Sequence, residues 1–355
     1  MKEIMETIVA ARIKNSRIQK GYSLQEVADK VGVSKQMINK YEKGDAMPAS
    51  DKLIAFSKLF GQKVDYFFRK PDVEIGAIYF RKKSKFSIKK VNALKEEIRV
   101  QIENYLYIEN IFNLNSVFKN PISNFVFQTK NDIIPATIEL RKEWNIGDDT
   151  IHNIIQLLED KDIKVIEIEE DTSLFDGLST IVDDKYYVIV INKSMPVERK
   201  RFTILHELGH LLLNLAHFSD KEQEQFCHFF ASEMLLSQRN LIKEFGIKRS
   251  KIALNELKNT QEKYGISIAA IMYKLGEAKV ISQEKRITFY KRLNYDSSLK
   301  QEVEKPRFEG DENSSRYENL VYRAVSEELI SLSKASALLP LSLEELKNSI
   351  SINTL

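Results

Sequence analysis

A single cysteine, Cys227, stands in a chain of 355 residues. No disulfide can form within the chain, which suits a reducing compartment and excludes the small disulfide-stapled folds. Long apolar runs are also missing: none approaches the ~18–20 residues that a membrane span needs. Met1 to Arg17 carries charges every few residues and lacks the apolar stretch of a secretory signal. Internal repeats and low-complexity tracts are absent. The expectation left standing is a soluble, cytoplasmic protein with no membrane partner. With 43% hydrophobic residues there is material for more than one core, hence more than one domain.

Net charge is only +3, but it is unevenly spread. Residues 1–90 hold 20 Lys and Arg against 10 Asp and Glu, so the remainder is net acidic. A basic module on an acidic body points to nucleic acid, against the blander reading of a solvated face. Within that module, Ser23 precedes Leu24, Val27, Ala28 and Val31 at helical spacing, and Gly32 ends the run. Ser34 caps a second helix, Lys35 to Lys43, with Met37, Ile38 and Tyr41 on its apolar face. Arg12 to Gln19 and Leu53 to Phe60 supply flanking helices. Residues 9–68 resemble the Xre/Cro-repressor type of helix-turn-helix. That resemblance implies a five-helix bundle that binds double-stranded DNA through Ser34, Lys35, Gln36, Asn39 and Lys40. Gln and Asn can read adenine edges, and Lys can meet guanine or phosphate. A helical bundle used for protein contact is the competing reading.

Ser87 to Leu114 reads as one long helix, with Val91, Leu94, Ile98, Ile102, Tyr105 and Ile108 roughly on one side. It suits a connector that packs on a neighbour, and a homodimer through it is the second option. Ile78-Tyr79-Phe80 and Ile163 to Ile168 read as strands, and Ser179 to Val182 with Tyr186 to Ile191 as a hairpin around Asp183-Asp184. Helices are expected at Ala136 to Trp144, Thr150 to Glu159, Val197 to Leu215 and Lys221 to Leu236. Tyr295 to Ser315, polar with Pro306 and Gly310, reads as a flexible linker. The division that follows is 1–70 for the DNA-binding domain, 71–130 for a connector, 131–294 for a catalytic domain, 295–315 for the linker and 316–355 for a C-terminal helical segment.

The sharpest signal is His206-Glu207-Leu208-Gly209-His210. Residues four apart on a helix share a face, so two imidazoles there can hold one metal ion, with Glu207 beside them to handle a proton. Ile204, Leu205, Leu208, Leu211 and Leu212 make the helix apolar, and buried polar groups without partners are costly. Four of the five histidines, His206, His210, His217 and His228, cluster in one stretch. Catalytic zinc takes three protein ligands and keeps one position open. For the third ligand Glu224, His228 and Glu233 compete on equal terms. Cys227 sits among Phe226, Phe229 and Phe230 as a core residue would.

Phe202-Thr203-Ile204-Leu205-His206-Glu207-Leu208-Gly209-His210-Leu211-Leu212-Leu213 resembles the ImmA/IrrE family of metallopeptidases. So do Asp176-Gly177-Leu178-Ser179, Val190-Ile191-Asn192 and the run from Glu224 to Ser237. The resemblance implies an α+β zincin-like domain with a small sheet, and it implies Zn²⁺ held by His206, His210 and Glu224 with Glu207 as the catalytic base. Cys227 and His228 depart from the usual Ala and Asn, Ser237 from Pro, and Asn214 from a frequent His. Donors for the oxyanion are left open among Tyr186, Tyr187, His217 and His228. Leu140 to Ile168, Gly265 to Ser282, Arg307-Phe308 and Leu320 to Leu346 extend the resemblance. The whole reads as a multidomain, mainly α protein, and the resemblance implies that it cleaves a protein substrate, a transcriptional repressor itself of the helix-turn-helix type. A non-cleaving zinc sensor and an antitoxin-like repressor are the alternatives.

Overall fold

Side-chain caps set most of the helix starts in the computed structural model, which describes residues 2–69, 79–80, 87–114, 117–339 and 341–350. Helix α1 (Lys2–Gln19) begins well before Arg12, where the spacing had suggested a start. Ser23 opens α2 (Leu24–Val31) with a reciprocal box: its hydroxyl accepts from Glu26 N, and the Glu26 carboxylate accepts from Ser23 N. Gly32 ends α2 at φ +70°, a left-handed conformation that glycine adopts without a side-chain clash. Ser34 caps α3 (Lys35–Lys43), and α4 (Ser50–Phe60) and a 3-10 turn (Val64–Phe68) follow. The five-helix bundle is thus four α-helices and a 3-10 turn. Val9, Ile13, Val27, Ala28, Ile38, Phe56 and Phe67 are fully buried at its centre. Arg17 grips Glu42 with two hydrogen bonds of 2.6 and 2.8 Å, tying α1 to α3.

Helix α5 (Ile88–Ile111) starts at the Ser87 cap and buries Leu94, Ile98, Ile102, Tyr105 and Ile108. Arg12 fastens α1 to it through Glu103 at 2.6 Å. The described chain forms two compact units. The first draws on 1–75, 83–116 and 315–355, and the second on 76–82 and 117–314. Of the stretch 71–130, expected as one connector, residues 87–114 fall in the first unit and 117–130 in the second.

The second unit holds a four-stranded sheet. Its strands are β1 (Tyr79–Phe80), β2 (Lys164–Ile168), β3 (Gly177–Val182) and β4 (Tyr186–Asn192), in the order β1-β3-β4-β2. Strand β2 runs parallel to β4, and the other pairs are antiparallel. Asp183 and Asp184 both take φ of +52° in the β3–β4 turn, where Lys185 N donates to Val182 O at 3.0 Å. The strand expected at Ile78 to Phe80 is described only for Tyr79 and Phe80; Ile78 lies outside the described residues. Around the sheet lie α6 (Ile133–Glu143), α7 (Ile154–Asp160), α8 (Val197–Leu212), α9 (Asp220–Leu235) and α10 (Gln238–Phe245). Helices α11 (Leu254–Tyr264), α12 (Ile268–Glu277), α13 (Gln283–Tyr295) and α14 (Ser297–Glu304) complete the unit. Ile189 and Ile191 of β4, Ile204, Leu205 and Leu208 of α8 and Phe230 and Met234 of α9 share one core.

The expected linker at 295–315 is corrected by the structure. Residues Ser297–Glu304 are helical, and Glu312 is buried against Arg201, a side chain with no exposure at all. Its polar residues are partners for charges buried on α8, which composition alone cannot distinguish from solvated linker. The remaining helices, α15 (Arg316–Ser326), α16 (Leu332–Leu338) and α17 (Leu343–Ile350), belong to the first unit. There Leu320, Val321, Ala324, Leu338 and Leu346 pack with Ile108 of α5. Among the described residues no helix is long and apolar enough to cross a membrane.

Candidate functional site

Helices α8 and α9 cross almost backbone to backbone. A Cβ added at Gly209 would lie 3.2 Å from Cys227 Cα and Cβ and 3.3 Å from its Sγ. Gly209 lies between His206 and His210 in sequence, and Cys227 between Glu224 and His228. The crossing therefore sets two i, i+4 pairs face to face. His206 Nε2 and His210 Nε2 are 3.1 Å apart, and the Glu224 carboxylate oxygens stand 3.3 Å from each. Hydrogen bonds from the two imidazoles hold the Glu224 carboxyl far below the ordinary carboxylate range, against the opposing effect of burial.

This spacing is a test of fit for a metal. Four donors around a tetrahedral ion at ~2.0–2.1 Å stand roughly 3.3 Å apart. Each imidazole nitrogen stands at about that spacing from the other and from one of the two Glu224 oxygens, and two imidazoles with one carboxylate suit a borderline divalent ion. The three competitors for the third position are separated by the fold. Glu224 meets both histidines. Glu233 is buried in an ion pair with Lys274 and accepts from Gln238 N at 2.6 Å. His228 stands close by: one donor atom each of His206, Glu224 and His228 lies within 4.8 Å of the others. Its ring is 4.4 Å from that of His206 and stacks on Phe202 at 5.6 Å.

Glu207 is 3% exposed, and Ser179 Oγ donates to its Oε2 at 3.0 Å. The contact follows from close packing of β3 on α8. A Cβ at Gly177 would meet Thr203 Cγ2 and Val190 O, each at 3.1 Å. Ser179 is two residues further on the same strand face, and Glu207 is one turn beyond Thr203. Burial pushes the Glu207 carboxyl up, while His206 and His210 pull it down. No role was read for Ser179 in the sequence; its only signal was its place in the Asp176 to Ser179 segment. Among the four oxyanion candidates, His217 Nε2 meets Phe127 O at 3.1 Å. Tyr187 packs edge-on against Phe118, and the Tyr186 ring lies beneath Lys164 and Lys185. Of these four, His228 lies beside His206, its ring 4.4 Å away. It also lines a cavity of about 380 Å³ with Phe202, Phe229, Ala270, Tyr273 and Tyr290.

On α3 the five residues singled out for DNA, Ser34, Lys35, Gln36, Asn39 and Lys40, are all exposed, while Ile38 and Tyr41 are buried. Ser34 also spends its hydroxyl on capping, accepting from Met37 N at 3.2 Å. The recognition helix thus presents a polar face held by an apolar one.

Residues 13–67 match the helix-turn-helix family model, and residues 158–276 match that of the IrrE N-terminal-like domain, an M78 peptidase family. A relative is the SPbeta prophage-derived uncharacterized HTH-type transcriptional regulator YonR of Bacillus subtilis (strain 168), 38% identical over 58 residues. The match covers 16% of this chain and 54% of that relative. The chain carries an Xre-type helix-turn-helix domain followed by an IrrE/ImmA-like domain.

Proposed function

We propose that this chain, with its helix-turn-helix and IrrE-like domains, is a DNA-binding regulator whose second unit is a zinc-dependent endopeptidase. Its protein substrate is a transcriptional repressor, itself of the helix-turn-helix type. The observation that carries the reading is the convergence of His206 Nε2, His210 Nε2 and the two Glu224 oxygens at 3.1–3.3 Å beside the buried, hydrogen-bonded carboxylate of Glu207. A purely structural metal site has no use for that carboxylate.

His206, His210 and Glu224 would hold Zn²⁺. Bound there, the ion polarises a peptide carbonyl and acidifies water. Glu207 takes the proton from the attacking water at its carboxylate and passes it to the leaving amine as the C–N bond breaks. The Ser179 hydroxyl fixes the orientation of that carboxylate. The low-polarity surroundings that raise the proton affinity of Glu207 make it an apt acceptor. In the first unit, Lys35 and Lys40 would meet phosphate or guanine, with Gln36 and Asn39 at adenine edges.

The test compares new protein N-termini by mass spectrometry in source cells making wild type or Glu207→Gln, with and without DNA damage. Glu207→Gln keeps its zinc and lowers cleavage by about 10²–10⁴-fold. A cleaved repressor found only with wild type supports the peptidase. Identical fragment sets from zinc-loaded, folded protein would replace it with a non-cleaving sensor.

A further inference from the structure

The crossing of α8 and α9 brings four donors together, and the mechanism above uses three. We propose that His228 is a fourth protein ligand of the same metal ion, one that closes the centre in the resting protein and leaves it when substrate enters. The inference rests on the metal reading of the site.

Geometry supplies the first argument. His228 occupies on α9 the position relative to Glu224 that His210 occupies on α8 relative to His206. Gly209 and Cys227 meet between the two pairs. Two such pairs on helices in near contact supply the four-donor set from which tetrahedral sites are built. The donor atoms of His206, Glu224 and His228 are already within 4.8 Å of one another. Ligation needs a spacing nearer ~3.3 Å, a closing movement within reach of rotation about the His228 side-chain bonds.

The second argument is that His228 has somewhere else to go. In the structure its ring stacks on Phe202 and lines the 380 Å³ cavity. With a metal held by His206, His210 and Glu224, that position of the ring would leave the fourth position to substrate and water. The ring's other position would close the centre, with all four places filled by protein. A ligand pocket of this size accepts a large apolar side chain. A peptide side chain in the cavity would pack on the His228 ring where it forms part of the wall and so hold it away from the metal. Latency would then be built into the metal centre itself.

The experiment uses the full chain, stripped with a chelator and reloaded with Zn²⁺ or Co²⁺. X-ray absorption at the zinc edge counts imidazoles in wild type directly; three are expected. Two would overturn the assignment of His228 while leaving the metal site standing. Failure to bind any metal would overturn this proposal and the peptidase reading together. In the Co²⁺ form, acetohydroxamate serves as the probe of an open position. Wild type should need about tenfold or more of the probe compared with His228→Asn to reach the same change in the visible spectrum. Equal titrations of a folded His228→Asn and wild type would count against the switch. Where that variant does not fold, the imidazole count on wild type still decides.

Discussion

Ser179 shows how much of a site one unremarked residue can carry. Its hydroxyl is 3.0 Å from Glu207 Oε2, and both side chains are buried. Without that donor the carboxylate holds a proton more tightly and loses one of the contacts that fix its direction. Ser179→Ala should leave zinc content unchanged and lower cleavage by about tenfold, equivalent to one buried hydrogen bond of roughly 1–1.5 kcal/mol. Ser179→Thr, which keeps the hydroxyl, should recover part of the rate. Metal analysis alongside single-turnover cleavage of the identified substrate checks both; equal loss in the two variants would make Ser179 a packing residue only. The His206–His210 pair, by contrast, was plain in the sequence. Their relation is local, four residues along one helix, and local spacing is what a sequence displays directly. The Ser179 contact joins residues 28 positions apart on a strand and a helix, and nothing in either segment alone announces it.

At the scale of elements, helices α3 and α8 are held in different ways. Helix α3 is fixed by Ile38 and Tyr41 beneath it and displays its polar residues freely. Gln36→Ala or Asn39→Ala should cost about 1–3 kcal/mol on the cognate sequence and little on unrelated DNA. Lys35→Ala or Lys40→Ala should weaken both and lower the slope of log affinity against log salt by about one where it neutralises a phosphate. Binding titrations at several salt concentrations separate the two classes. Helix α8 is anchored from behind the metal site by the segment misread as a linker. Arg201 Nη1 pairs with Glu312 at 2.5 Å and its guanidinium lies over the Phe308 ring. Glu312 in turn accepts from Ile154 N and Ile155 N at the start of α7, at 2.7 and 2.8 Å. Glu198 accepts from Gln261 and from Arg307 N, each at 2.8 Å. Arg201→Met leaves the Glu312 carboxylate buried without its cation, at a cost of about 3–5 kcal/mol. Adding Glu312→Leu should return part of that loss, since an apolar pair needs no desolvation of charge. Urea unfolding of the second unit reads both variants. The sequence could not show this pairing because the partners are 111 residues apart and each looks like an ordinary surface charge.

For the whole molecule, chain order and structural order diverge. Helices, strands and the hairpin turn were readable because caps, apolar period and turn residues act within a few positions. The two units were not, because the first is closed by residues far apart: Ile108 of α5 packs with Leu320, Val321 and Ala324 of α15. Tyr105 stacks on Tyr317 at 5.5 Å, and Lys63, just before the 3-10 turn that follows α4, donates to Ser333 Oγ at 2.8 Å. The C-terminal helices are thus part of the unit that holds the helix-turn-helix, although the second unit intervenes in sequence. Truncation after Ser314 would strip cover from Ile108 and Tyr105 and should lower the melting temperature of the first unit by several degrees, as expected for a loss of about 1–3 kcal/mol. Zinc binding by the second unit should be unchanged, because Ser314 ends it and its recorded partners Glu159 and Glu167 remain. DNA affinity of the truncated chain should fall only in proportion to the unfolded fraction, while its salt slope stays that of the full chain, since the α3 contacts to phosphate are the same. A changed slope at full folding would mean that α15 to α17 touch DNA themselves. An unchanged melting temperature would mean that the packing on α5 contributes little to the stability of the first unit.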